Sequence, residues 1–290
     1  TQEIKDKWNQ FLNGNELSRQ ENDFVNPLIT AEFDQDSPWN QFCPNGAETD
    51  TDCEVTCDRT LVGCVAVSMS QIMHYWRYPI QGQGSYSYTH SDYGEQSVDF
   101  ENTSYDYLEM GDGTSYSEAA ALLLYHSGVS VGMDYGCCES GAFVTTGSTS
   151  AQNSLKDYFL YQDTMNKIES TDSDFLNILK DELINNRPFI YSGYNVDGGH
   201  AWNVDGFDAD DLFHMNWGWG GQSNGYFSIP EMDGSSCSVC DFTDNQSALI
   251  NIQPANLNAP NILLDSLFAF DTMGDDDNVV NPGETCALVV

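Results

Sequence analysis

The clearest helical pattern in the chain runs over residues 61–79, LVGCVAVSMSQIMHYWRYP. Apolar side chains recur at Val65, Met69, Ile72, Met73 and Trp76, the three-and-four spacing that lines one helix face, and Pro79 cannot continue it. Ser115 with Glu118 three residues on is a capping-box signal for a second helix, with its body from Ala119 to His126 and its stop at Gly128. Two more helices are predicted over residues 151–159 and 174–185, the latter capped by Ser173 and ended ahead of Pro188. Residues 82–88 read as a turn and a strand. After Pro188 the texture changes to short runs at residues 188–194, 200–205, 212–216, 225–229 and 248–252, punctuated by Gly, Asp and Asn as in an antiparallel sheet. Helices first and strands later predict an α+β domain of two halves, with a cleft between them.

Composition narrows the class. With 40% hydrophobic and 12% aromatic residues in 290, the chain can bury a real core. It carries 45 acidic against 9 basic residues, a net charge of -36, which repels phosphates and anionic membrane surfaces within a Debye length of about 8 Å. Nucleic acid is excluded as a partner. Such self-repulsion needs screening, so a salt-rich habitat, marine or halophilic, is expected. No apolar run is long enough to cross a membrane, and the N-terminus lacks a basic region followed by an apolar stretch. Membrane insertion is therefore not expected, and any signal peptide is taken to be gone already. Residues 1–24 are polar, with a short amphipathic pattern at Ile4, Trp8, Phe11 and Leu12, and read as a tail or linker ahead of a domain spanning 25–254.

Nine cysteines suggest an oxidising compartment, secreted or at the cell surface, and their odd number leaves one over. Cys43, Cys53 and Cys57 cluster before the central helix, Cys137 and Cys138 are adjacent, Cys237 and Cys240 form a short loop, and Cys286 is near the end. Cys64 is the expected odd one. The runner-up role for Cys237 and Cys240 is half of a four-sulfur zinc site.

Taken alone, Cys64 would pass for a small core residue or half of a disulfide. Its place in the first turn of the helix argues otherwise, because the unpaired N–H groups and the dipole there favour a thiolate. A thiolate needs a base. His200 follows Gly198 and Gly199, which let a substrate backbone come close, and opens a strand in which Trp202 and Val204 share its face. His74, His90 and His126 read as structural; His214 could compete but lacks flanking glycines. The run Asn216, Trp217, Gly218, Trp219, Gly220, Gly221 makes poor generic core. Asn216 or an indole there could orient and shield the imidazole. Gln35 reads as an ordinary loop residue that could also donate to an oxyanion.

These segments together resemble the streptopain family of papain-clan cysteine peptidases. The resemblance rests on Gly63-Cys64-Val65-Ala66 with Gln71-Ile72-Met73 and Tyr78-Pro79, on Val131-Gly132-Met133-Asp134-Tyr135-Gly136, on Gly198-Gly199-His200-Ala201, and on Asn216-Trp217-Gly218-Trp219-Gly220-Gly221 with Gly225-Tyr226-Phe227. It implies a papain-like fold and a secreted bacterial endopeptidase with no cofactor. Cys64 becomes the nucleophile and His200 the base and acid; Asn216 and Trp217 hold and cover the imidazole, with Trp219 in support. Gln35 and the Cys64 N–H become the oxyanion donors, and Gly199, Ser140 and Gly141 the substrate walls. The expected partners are protein or peptide substrates, bound extended with an apolar side chain beside the scissile residue, and a propeptide that inhibits the zymogen; a monomer is expected. A thiol amidase or transpeptidase on cell-wall peptides, or an adhesion module with a disused cleft, are the alternatives.

This chain also departs from that pattern. The extra cysteines sit in a wall loop at Cys137 and Cys138 and just ahead of the nucleophile at Cys53 and Cys57, where a disulfide to Cys64 would make a reversible off state. Residues 255–290 read as a linker and the start of an immunoglobulin-like β module. Its acidic run from Asp271 to Asp277 could hold Ca²⁺, although the spacing is not that of an EF-hand and an exposed acidic turn is favoured.

Overall fold

The computed structural model describes residues 24–46, 56–232, 237, 239–255, 268–271 and 286–289. The tail at residues 1–23, Cys53, and the acidic run beyond Asp271 lie outside the described residues. In chain order the elements are α1 (Cys64–Trp76), β1 (Ser85–His90), β2 (Gly94–Asp99), α2 (Glu118–Ser130), α3 (Ala151–Asp157), β3 (Asn166–Glu169), α4 (Phe175–Ile184), β4 (Phe189–Tyr194), β5 (Gly199–Phe207), β6 (Phe213–Asn216), β7 (Gly225–Phe227), β8 (Asp244–Ile250), β9 (Phe268–Asp271) and β10 (Cys286–Val289).

Six strands form one antiparallel sheet in the order β3-β8-β4-β5-β6-β7. Its two faces serve two cores. On one, Phe189, Tyr191, Trp202 and Val204 pack with Phe175, Leu179 and Leu183 of α4. On the other, Ile190, Ala201 and Leu249 join the cluster built from α1, α2 and α3. Strand alternation explains the division, since neighbouring side chains point to opposite faces. The predicted α+β division into a helical half and an antiparallel sheet half is thus observed. β1 and β2 form a separate hairpin, and β9 pairs with β10.

The central helix is buried on more than the one face its apolar spacing implies: every residue from Val65 to His74 is buried. It lies between α2 and the sheet, so its polar members must find partners. Ser70 Oγ donates to Ser127 Oγ on α2 at 2.9 Å, and His74 Nε2 lies 3.1 Å from the Gly111 carbonyl. α1 stops where Arg77 turns left-handed at φ 46, and the N–H groups of Arg77 and Tyr78 close back onto the carbonyls of His74 and Met73.

Other boundaries shift for physical reasons. The cap of α2 is Ser117, whose Oγ accepts the Ala120 N–H at 3.1 Å, and not Ser115. α2 also continues through Gly128, because glycine there leaves room for Tyr135: an added Cβ would stand 2.4 Å from its hydroxyl. Asp174 rather than Ser173 caps α4.

Buried histidines give the fold a pH dependence. His126 on α2 sits 3.1 Å from the Tyr105 hydroxyl, is 8% exposed, and burial pushes its pKa down to about 4. The unfolded chain takes up this proton as pH falls through about 6.5, whereas the folded chain resists until about 4. The stability from keeping His126 neutral is therefore lost between those two values, roughly 3 kcal/mol in all. Urea unfolding of the parent and His126→Gln across that range should show this difference in slope, with the carboxylate background common to both. Parallel curves would refute it.

Candidate active site

Gly63 sets the entry to α1. Its φ of 91 suits glycine, and an added Cβ would meet Met133 Cε at 2.6 Å and the Ser140 carbonyl at 3.0 Å. The approach is pinned on both sides: the Val62 N–H donates to the Gln35 carbonyl at 2.9 Å and the Leu61 N–H to the Gly136 carbonyl at 3.0 Å. Cys64 then opens the helix with its thiol unpaired and half-buried. Burial pushes the thiol pKa up and the Glu139 carboxylate adds to this, while the N–H groups of Ala201, Val65 and Cys64 itself oppose them by supporting negative sulfur. The Ala201 contact places the sulfur against β5, at the residue after His200.

His200 is 8% exposed, and its Nε2 lies 3.0 Å from the Trp217 carbonyl. A carbonyl only accepts, so Nε2 carries the proton and the neutral ring keeps Nδ1 as an acceptor. Burial drives the imidazole pKa down to about 4, partly offset by that carbonyl. An aromatic enclosure holds the ring: Trp219 stacks at 4.8 Å and 27°, Phe242 packs at 5.1 Å, and Trp202 and Trp217 lie parallel within 17°.

Asn216 is therefore not the imidazole's partner in this geometry. Its Nδ2 donates to the Ala31 carbonyl at 2.9 Å, and its Oδ1 accepts from Gln71 and from the Gly218 N–H. The carbonyl of the next residue takes the role expected of its amide. Trp217 contributes that carbonyl and a fully buried indole, and its own N–H donates to Asn224 Oδ1 at 3.1 Å.

Gln35 is half-buried beside the entry to α1, and its side-chain amide has no partner among the described residues. Ser140 is turned inward: its Oγ donates to the Leu61 carbonyl at 2.8 Å and accepts the Gly136 N–H at 3.0 Å. It clamps the wall loop to the approach of Cys64 rather than presenting a hydroxyl to the cleft. Gly141 is exposed and pairs with Asp134 through both backbone groups. Gly199 is exposed as well, beneath the Tyr194 ring. His214 does not compete as base, for its Nδ1 is 2.6 Å from Asp205, whose other oxygen accepts the Ile29 N–H.

The cysteines pair differently from the single leftover expected at Cys64. Cys43 as well as Cys64 is unpaired; it is buried, and desolvation pushes its pKa up to about 12. Cys57 is bonded to Cys137 and Cys138 is also disulfide-bonded, so Cys57 is not a trap for Cys64. Cys237 and Cys240 are bonded to each other, which sets aside their zinc role. Gln71, Asn203, Glu139 and Phe242 have no part in the site expected from the sequence. Only Gln71 carried a signal, as a long polar side chain inside an apolar helix.

A family model described as the Peptidase C10 family matches residues 33–227. The thiol protease/hemagglutinin PrtT of Porphyromonas gingivalis is 32% identical over 218 residues, 70% of this chain and 25% of that protein. Streptopain of Streptococcus pyogenes is 33% identical over 212 residues, 66% of this chain and 52% of streptopain. The chain thus spans a quarter to about half the length of these relatives. Among solved structures, active interpain A cysteine protease of Prevotella intermedia superposes with a TM-score of 0.65 and 30% identity, covering 81% of this chain and 96% of that one. A prointerpain A fragment gives 0.64 and 28% identity, covering 84% and 79%.

Proposed function

Because the chain belongs to the peptidase C10 family, we propose that it is a cysteine endopeptidase that opens peptide bonds by thiolate attack from Cys64. The observation that carries this is the support of the Cys64 sulfur by the Ala201 N–H, one residue along β5 from His200, whose Nε2 is committed to the Trp217 carbonyl. Nδ1 of His200 takes the thiol proton as the sulfur bonds to the scissile carbonyl carbon. The oxygen of the tetrahedral intermediate turns toward the Cys64 N–H and the free amide of Gln35. His200 returns the proton to the departing amine, leaving an acyl-enzyme; water, deprotonated by His200, then releases the acid and restores the thiol. Gly141 and Gly199 supply the cleft walls, and Trp219 covers the His200 ring on which it stacks.

The relatives are bacterial, and among the described residues no helix is long and apolar enough to cross a membrane. Export from a bacterium as a monomeric zymogen, held inactive by a propeptide, accords with the disulfides and with the proenzyme form of interpain A. The acid excess supports a salt-rich setting, an idea that a melting temperature unchanged from dilute to molar salt would defeat.

The test is digestion of an unfolded protein such as reduced casein, with and without prior alkylation of Cys64 by iodoacetamide. Cleavage by the untreated chain alone is the expected result. Intact casein despite rapid alkylation of Cys64 would overturn it in favour of an amidase on cell-wall peptides.

A further inference from the structure

We propose that Gln71 is the positioning residue that sets Cys64 against His200; this rests on the peptidase reading above. Gln71 is fully buried on α1, about two turns beyond Cys64. Its Nε2 donates to the Ala31 carbonyl at 3.0 Å and to Asn216 Oδ1 at 3.0 Å, and its Oε1 accepts from Asn203 Nδ2 at 2.8 Å. Each partner belongs to a different piece of the site. Asn203 is on β5, downstream of His200 on the same strand. Asn216 ends β6, immediately before the carbonyl that holds His200. Ala31 leads into the segment that carries Gln35.

The two asparagines reinforce the arrangement. Asn203 and Asn216 are opposite each other in the β5–β6 register, so one side chain from α1 bridges a cross-strand pair. Asn203 Nδ2 also donates to the Ser68 carbonyl at 3.1 Å, one turn beyond Cys64, and Asn216 Oδ1 accepts the Gly218 N–H, which flanks the Trp217 carbonyl. Apolar contacts between α1 and the sheet would allow small slides of the helix, because dispersion has little direction. Buried hydrogen bonds do not, since a displaced amide is left unpaired where water cannot reach it. The network therefore fixes the register of the nucleophile's helix against the strands of its base, and a shift of about 1 Å in such an alignment can cost on the order of 100-fold in rate.

A control lies on the same helix. Ser70 is equally buried but bonds to Ser127 on α2, away from the sheet. Ser70→Ala should cost stability and leave the chemistry alone. Gln71→Met keeps the length and removes all three bonds. Asn203→Ala is a second variant that removes two donors and an acceptor, Asn203 Oδ1, that already lacks a partner.

The experiment measures kcat and KM on a peptide substrate, and the rate of Cys64 alkylation by iodoacetamide against pH, for these three variants and the parent, with urea unfolding for each. The expected result is kcat lower by about 10- to 100-fold in Gln71→Met and by about 10-fold in Asn203→Ala, with KM within about twofold. The alkylation midpoint should move to higher pH in both and stay in place in Ser70→Ala. If kcat and the alkylation profile follow stability alike in all three, or do not change, the positioning role is wrong. Because alkylation reads Cys64 without a peptide substrate, a parent that cuts no peptide yet shows the variant-specific shift would refute the peptidase reading and not this one.

Discussion

Cys64→Ala and His200→Ala are each expected to lower kcat by about 10⁴-fold or more, and the double variant to be no worse than either single one. The non-additivity follows from the geometry. Burial raises the Cys64 thiol and lowers the His200 imidazole, so neither group is easily charged alone in this cleft. In the proposed mechanism the thiol gives up its proton only as Nδ1 of His200 accepts it, while the Ala201 and Val65 N–H groups support the negative sulfur. Removing either member removes the same step. In His200→Ala the alkylation of Cys64 should follow an ordinary or raised thiol titration, with no reactive fraction below neutral pH. Gln35→Ala serves as contrast, because it withdraws one of two oxyanion donors and should cost only about 100-fold. Steady-state kinetics after confirmation of folding by urea unfolding decides the matter; a His200→Ala chain within tenfold of the parent would remove His200 from the mechanism.

The parts of this site that announce themselves are side chains whose chemistry is unusual for their surroundings. A cysteine after glycine at the head of an apolar helix, and a histidine after two glycines at the head of an apolar strand, are both legible because helix and strand periodicities place them without tertiary information. The imidazole's partner is not legible in the same way. Asn216 looked suitable because its amide is a visible acceptor, yet the fold presents the carbonyl of Trp217, and every residue has a carbonyl. What selects this one is the turn through Gly218 at φ 72 together with the hold of Asn224 on the Trp217 N–H. Gln71 shows in the sequence as a polar residue in an apolar helix, but that signal does not separate a network hub from a lone satisfied side chain. β3 escaped notice for a related reason: it is an edge strand with a single buried residue, Ile168, and no alternation to detect. The pairing of Cys57 with Cys137 joins segments 80 residues apart, and nothing local encodes it.

That pairing carries the second large effect. Cys57→Ser with Cys137→Ser is expected to lower the unfolding free energy by up to about 4.5 kcal/mol, the loop-closure entropy that a cross-link of this span removes from an otherwise open unfolded chain. The Cys237–Cys240 bond provides the comparison, since its sequence separation is 3 against 80. By the same reasoning, serines there should cost only about 1.5 kcal/mol. Urea unfolding of the two double variants tests the difference, and equal losses would show that local packing rather than chain entropy sets the effect. The long-range bond should also be felt in the cleft. It ties the segment that approaches Cys64 to the wall loop, alongside the Leu61 to Gly136 and Ser140 to Leu61 hydrogen bonds. Those bonds and the second disulfide at Cys138 remain when it is removed. KM should therefore rise by no more than about tenfold while kcat holds, because the wall loosens and the alignment of Cys64 with His200, set by the Gln71 network about two turns along α1, does not depend on it.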